Sequence, residues 1–429
     1  MGGVPCYATN QARAALLIAL KSLGLSKNDE VIVPSFTYKG VIDAILEAGA
    51  SPVFVDSSLK DLNAHSEEIE ERITQNTKVI IATHLFGIPT DIEAISALSS
   101  ENNCVLIEDC AQCLGALYRK KRVGTFGDMS IVSFNFEKHM TTGEGGMLIV
   151  NNRELLNSVS DVINAYTRVP LSREKYYTYG LLLEHIVTDK DTYGDFRIPL
   201  SATFGQECCM IDSNITRKVE QLIQTGVQIE ELKEKLLPYM KMNQVYLKAM
   251  VRQNLIVGTV LNRVERMKTK IRRPPGASIE SEQLLMNSMR AAVGLIGLSI
   301  VDEINRVRNE NARQFHDTFK DSEHFTSPVL DGHSHPCFLK YNLLSNSPYT
   351  MREISKRARE HGLELGNYQW GQPTHTQNPY QTCIQFDGAN LKKSEYIASN
   401  IVNIPVHYSV SSADIKMITN FLGGLVHSR

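Results

Sequence analysis

Residues 108–152 read EDCAQCLGALYRKKRVGTFGDMSIVSFNFEKHMTTGEGGMLIVNN. The apolar run Val105-Leu106-Ile107 ends in the acids Glu108 and Asp109. Lys138 stands 29 residues after Asp109, and a turn with Gly143, Gly145 and Gly146 follows it. An acid that closes an apolar strand is expected to be buried, which is costly unless the carboxylate is paired. Taken singly, such an acid reads as a cap for the next helix and such a lysine as a solvated surface residue. With Ser133 and the glycine turn in the same segment, the pair gains a phosphate-holding neighbourhood.

Outward from this stretch, residues 12–150 alternate helical and strand patterns. Residues 12–23 (ARAALLIALKSL) are apolar round most of a helix, with Gly24 as its C-cap. Short apolar runs follow, namely EVIVPSF, SPVFVD, KVIIATHLFG, CVLIED and MSIVSFNF, and helical stretches such as VIDAILEAG and DIEAISALSS separate most of them. This alternation implies crossover units and a mostly parallel sheet covered on both faces. In such sheets ligands sit at the carboxyl ends of strands, where His84, Asp109 and the Ser133 to Lys138 segment fall.

Residues 151 to about 285 are less legible, with a helical reading from Arg217 to Tyr239 and a break at Pro274-Pro275. A helix-rich region starts near Ser288. Short strands, the helix MREISKRAREHG and a final helix after Val410-Ser411-Ser412 complete a C-terminal α/β domain. The expected division is therefore 1–285, with an atypical middle at about 165–285, and 286–429.

With 42% hydrophobic residues, 21% charged and a net charge of -2, the chain has neither the basic surplus of a nucleic-acid binder nor the acidic surplus of a disordered one. Its basic cluster, Lys268, Lys270, Arg272 and Arg273, reads as a solvated loop or as a patch for a substrate phosphate. MGGVPCYATNQ lacks a charged segment followed by an apolar core, and no apolar run reaches membrane-spanning length, so a cytoplasmic protein without membrane contact is expected. Cys110 and Cys113 match a CxxC spacing, but no second pair or histidine cluster accompanies them; buried thiols beside a cofactor are expected rather than a metal site.

Asp109 and Lys138 suit pyridoxal 5'-phosphate. That cofactor withdraws electrons only while its pyridine nitrogen stays protonated, which a buried carboxylate enforces, and its aldehyde needs a lysine amine for a Schiff base.

At these motifs the chain resembles the DegT/StrS family of fold type I pyridoxal-phosphate enzymes, mostly sugar-nucleotide aminotransferases. DEVIVPSFTY, AGASPVFVD, THLFGIPTDIEAI, EDCAQ and VGTFGDMSIVSFNFEKHMTTGEGGM follow in family order, and QPTHTQNPY and NIVNIPVHYSVSSADI resemble its late motifs. The resemblance implies an α/β fold type I architecture: a large domain with a mostly parallel seven-stranded sheet and a smaller C-terminal α/β domain. It makes Lys138 the Schiff-base lysine, Asp109 the partner of the pyridine nitrogen, Gln112 a neighbour of the ring hydroxyl and Ser133 a phosphate ligand. Tyr38 falls where the family stacks an aromatic on the ring, against a reading as a half-buried core tyrosine. His84 lies in a family motif as either a catalytic or a structural histidine.

Three departures stand out. Where most members have Ser-Gly-Thr at the phosphate cup, this chain has Gln11-Ala12-Arg13, so Ala12 and Arg13 are cofactor-binding candidates and a guanidinium is expected to grip phosphate as a fork. The segment before this helix is nearly absent. Near Gln283 to Leu285 an Asn-Tyr-Arg pattern that reaches a neighbouring subunit's cofactor is replaced by Gln-Leu-Leu.

The expected activity is transfer of an amino group from glutamate or glutamine to a ketone, on a nucleotide-linked sugar or a natural-product intermediate, by a homodimer. A dehydratase-like reaction is the first rival; that branch carries histidine where this chain has Lys138. A non-catalytic pyridoxal-phosphate-binding regulatory protein is the second, and intact Lys138, Asp109, Gln112 and Ser133 argue against it.

Overall fold

In the computed structural model, the described residues are 3–166 apart from Phe136, and 285–427 apart from 287, 364, 366–370, 378, 379 and 381–390. The chain forms two compact units, Met1–Pro170 with Ser278–Arg429, and Leu171–Ala277. The helical reading at Arg217 to Tyr239, the basic cluster and Pro274-Pro275 all lie outside the described residues.

The first unit begins β1 (Cys6–Thr9), α1 (Ala12–Lys21), β2 (Glu30–Pro34), α2 (Lys39–Glu47), β3 (Ser51–Val55), α3 (Ser66–Glu70), β4 (Thr77–Thr83), α4 (Ile92–Glu101) and β5 (Val105–Asp109). It continues with β6 (Leu117–Tyr118), β7 (Lys121–Arg122), β8 (Met129–Ser133), β9 (Gly146–Val150) and α5 (Leu156–Asn164). After the second unit come α6 (Ser288–Phe319), β10 (Phe325–Thr326), β11 (Ser334–His335), β12 (Tyr341–Ser345), α7 (Met351–Glu360), α8 (Lys392–Asn400), β13 (Ile401–Ile404) and α9 (Ser412–His427).

Seven strands form one sheet in the order β1-β9-β8-β5-β4-β2-β3. The run from β8 to β3 is parallel, while β9 and β1 close the other edge antiparallel. The expected mostly parallel sheet is present, and a hydrophobic cluster covers each face. Helix α1 lies within the first of these clusters: Ala14 to Leu20 are at most 1% exposed. A helix apolar all round must be covered all round, which explains the pattern of residues 12–23. It ends at Lys21 with Ser22 as its C-cap, so the helix stops earlier than expected and Gly24, the expected cap, lies two residues beyond, where it takes the left-handed conformation (φ 64°).

The C-terminal part has its own core. β12 pairs antiparallel with β10 and β13, and Phe315, Phe319, Tyr341, Leu343, Ile354, Ile404 and Leu422 pack as one cluster. Thr350 caps α7 through a reciprocal box with Glu353, fixing the start of MREISKRARE. No described helix is long and apolar enough to cross a membrane.

Candidate active site

Because β2, β4, β5 and β8 run parallel, their carboxyl ends share one edge of the sheet. Asp109 is the last residue of β5, in register with Thr83 of β4 and Ile131 of β8, and Ser133 ends β8. Gln112 follows β5 by three residues and Tyr38 follows β2 by four.

Successive strand residues point to opposite faces, and this separates the two acids that the sequence presents side by side. Glu108 is fully buried and saturated. Its Oε1 accepts from the N–H groups of Phe126 (2.6 Å) and Gly127 (2.7 Å), and its Oε2 from Gly124 N–H (2.7 Å). Thr90 N–H donates to His84 Nδ1 (3.2 Å), so His84 carries its proton on Nε2 and donates it to Glu108 Oε2 at 3.3 Å. His84 is thus a satisfied structural histidine. Cys110 lies beside His84 and Glu108, yet the carboxylate and both imidazole nitrogens are already engaged.

Glu108→Ala orphans the buried N–H groups of Gly124 and Gly127 and the partly buried one of Phe126, so a loss of about 3–5 kcal/mol of stability is expected in urea unfolding. A loss below about 1 kcal/mol would contradict this structural assignment.

Asp109, 5% exposed, accepts one hydrogen bond among the described residues, from Ala111 N–H at 3.0 Å. Burial raises its pKa above the ordinary carboxylate value, against the Ala111 hydrogen bond and the positive charge of Lys138. A buried acid so poorly compensated suits a cationic partner.

Lys138 is half-buried in a loop pinched shut at its base, where Phe134 N–H donates to Gly145 O (2.9 Å) and Thr142 N–H to Phe134 O (3.0 Å). Burial is the largest influence on its amine and lowers it; Asp109 and Glu137 oppose this, Lys340 adds to it, and the pKa falls to about 8. His139 Nε2 donates to Cys337 O at 2.6 Å, tying the lysine loop to the segment that leads into β12.

Ser133 is buried and its Oγ accepts weakly from Asn135 N–H at 3.4 Å. The Gln112 carbonyl oxygen accepts from Phe86 N–H at 3.0 Å, and among the described residues its NH2 has no partner. Tyr38 is not a core residue: it is 46% exposed, and its ring lies over Gly40, where a Cβ would collide with the ring edge. Ala12 opens α1, and its backbone sits so close to Gly146 that a Cβ there would meet Ala12 N at 2.5 Å. Glycine is therefore required where the turn crosses the helix start. The side chain of Gln11, the N-cap residue, does not cap α1, and among the described residues the N–H groups of Ala12 and Arg13 are not engaged by a side chain, so the helix start can favour an anion. Arg13 donates from Nε to Gln11 Oε1 at 2.6 Å.

Cys110 and Cys113 are buried and burial raises both thiols well above their usual value, as expected of inert thiols. Of the Gln283 to Leu285 segment only Leu285 is described, and it bridges Thr9 of β1.

Sequence reasoning missed Arg290, Glu144 and Lys340. Arg290 of α6 is fully buried and its guanidinium donates to Glu144 O (2.8 Å), Asn10 Oδ1 (3.1 Å) and Asn10 O (3.4 Å), fastening the glycine turn to the start of α1. Nothing near these residues in the chain signals the contacts, which span up to 280 positions.

The fold is that of the fold type I aminotransferases. The X-ray structure of the aminotransferase from Psychrobacter cryohalolentis superposes with a TM-score of 0.68, at 20% identity over 99% of this chain and 88% of that one. The DegT/DnrJ/EryC1/StrS aminotransferase family model matches residues 1–181 and 262–422, and the chain belongs to that family. It is similar to GDP-perosamine synthase of Escherichia coli O157:H7, 46% identical over 151 residues, which are 35% of this chain and 42% of that protein. It is also similar to UDP-N-acetyl-3-dehydro-alpha-D-glucosamine 3-aminotransferase of Acidithiobacillus ferrooxidans, 41% identical over 154 residues, 36% of this chain and 41% of that one. The matched stretch thus spans about two fifths of these curated relatives.

Proposed function

We propose that this protein is a pyridoxal-phosphate-dependent aminotransferase that moves an amino group from an amino acid, glutamate or glutamine, to a ketone of a nucleotide-linked sugar or a natural-product intermediate. The observation that carries the reading is the opposed pair of shifts at the strand edge. Asp109 is a buried acid that accepts one hydrogen bond among the described residues, and Lys138 is an amine whose pKa falls to about 8. Paired titratable groups pushed in opposite directions are a mark of acid-base chemistry. The names of the curated relatives, both sugar-nucleotide enzymes, support the substrate class.

The residues present fit the cofactor. Asp109 would hold the proton on the ring nitrogen, Gln112 would stand beside the ring hydroxyl and Tyr38 would lie against the ring face. Ser133, Arg13 and the backbone at Ala12 would receive the phosphate, where the uncapped start of α1 adds a favourable dipole. When bound, pyridoxal phosphate supplies an electron sink for the bond broken at the donor's α-carbon. Lys138, once its amine is free, takes the proton from that carbon and returns it at the carbon that accepts it. A pKa near 8 serves both directions, because roughly one lysine in ten is then neutral at pH 7, against about one in three thousand at the ordinary value.

Within this reading the chain divides into a cofactor-binding part, 1–285, and a C-terminal part, 286–429, and works as a cytoplasmic homodimer on small-molecule donors and ketones. The dimer is supported by the apolar residues Leu295, Ile296 and Ile300 of α6, which are 70%, 68% and 52% exposed.

The test is a spectral screen of amino donors. Purified yellow protein should bleach with one of glutamate or glutamine, and the bleached form should aminate a keto sugar detectable by mass spectrometry. Cofactor that binds but responds to no donor would favour a regulatory binding protein instead.

A further inference from the structure

The phosphate cup of this chain departs from its family at Gln11-Ala12-Arg13, and the structure gives that departure a mechanism. Gln11 occupies the N-cap of α1, yet its side chain does not cap the helix. Its Nε2 donates instead to a Glu144 carboxylate oxygen, while its Oε1 accepts from Arg13 Nε at 2.6 Å. Glu144 is itself held in place. Its carbonyl oxygen accepts from the buried Arg290 at 2.8 Å and from Thr142 Oγ1 at 2.7 Å, so helix α6, the glycine turn and the start of α1 form one connected chain of hydrogen bonds.

A primary amide can face either way. Here the Glu144 carboxylate accepts hydrogen bonds only, so it draws the NH2 of Gln11 towards itself and turns Oε1 to Arg13. Anchoring Arg13 by Nε leaves its two terminal nitrogens for a forked contact with an anion. The intervening amide also keeps the carboxylate off the guanidinium. A direct Arg13–Glu144 pair would satisfy the charge that a phosphate needs.

We propose that Glu144 and Gln11 are positioning residues that orient Arg13 towards the phosphate of the cofactor, an inference that rests on Arg13 being a phosphate ligand. Neither residue touches the reacting atoms. Their effect is confined to ligands that carry the phosphate.

The test titrates cofactor-free protein with pyridoxamine 5'-phosphate and with pyridoxamine, neither of which needs Lys138 to form a bond. Gln11→Ala and Glu144→Ala should each weaken pyridoxamine phosphate about tenfold and leave pyridoxamine unchanged, the size expected for one charge-assisted hydrogen bond. Arg13→Ala should lose at least as much, and adding Glu144→Ala to it should cost nothing more. Glu144→Gln, which still offers an accepting oxygen, should restore most of the binding.

If Arg13→Ala weakens the phosphate ligand but both partner variants bind like the parent, the positioning role is overturned and the Arg13 contact stands. If Arg13→Ala itself has no effect, the phosphate role of Arg13 falls and the chain of contacts with it. Equal losses for both ligands would mark Glu144 and Gln11 as structural only. Should Glu144→Ala fail to fold, Gln11→Ala decides the matter, since that side chain is partly exposed at a helix start.

Discussion

Lys138→Ala should lower turnover by at least about four orders of magnitude, because one side chain supplies both the nucleophile and the proton carrier. The visible colour of the holoprotein should vanish with it, while pyridoxamine phosphate should still bind through Asp109, Ser133 and Arg13. Lys138→Arg separates charge from reactivity: a guanidinium keeps the positive charge but is not deprotonated in proteins, so this variant should be as inactive as the alanine. In the parent enzyme the rate should rise as pH passes through about 8, since the working amine is neutral and its pKa falls there. A Lys138→Ala enzyme with more than about 1% of parental turnover would remove the central assignment.

The second large effect is at Asp109, where activity and stability should move in opposite directions. Asp109→Asn should cost roughly 10²- to 10⁴-fold in turnover, the range for losing a preorganised charge partner at a reaction centre. The ligand-free protein should be as stable as the parent or more stable by about 1 kcal/mol. The sign follows from linkage. A carboxylate whose pKa is raised in the folded state costs stability at pH values above that pKa, and the cost disappears as pH falls below the unfolded value. Asparagine removes the desolvated charge and so removes the cost. Chemical unfolding of cofactor-free protein at pH 7 reads this directly, and a marked destabilisation would show that Asp109 serves the fold as Glu108 does.

The contrast between these neighbours shows how far the sequence could be read. Val105 to Asp109 announces a buried strand ending in acids, and the strand forms as expected. Which acid holds the loop and which faces the site depends on strand parity relative to the covering layers, and on the N–H groups of residues 124–127 that meet Glu108. Arg13 shows the same limit. Its place at the start of an apolar helix is evident from ARAALLIALK, but its hydrogen bond to a Gln11 turned away from capping, and the grip of Glu144 on Gln11, are not.

Local pattern alone therefore determined the alternation of strands and helices, the burial of α1, the strand-end position of Asp109 and the glycine turn behind Lys138. These follow from periodicity and backbone preference within a few residues. Only the tertiary structure decided that Glu108 is saturated while Asp109 accepts one hydrogen bond among the described residues, that burial lowers the Lys138 pKa to about 8, and that Arg290 of α6 clamps the turn to the helix start. Each of these depends on desolvation and on partners distant in the chain, which adjacent residues do not encode.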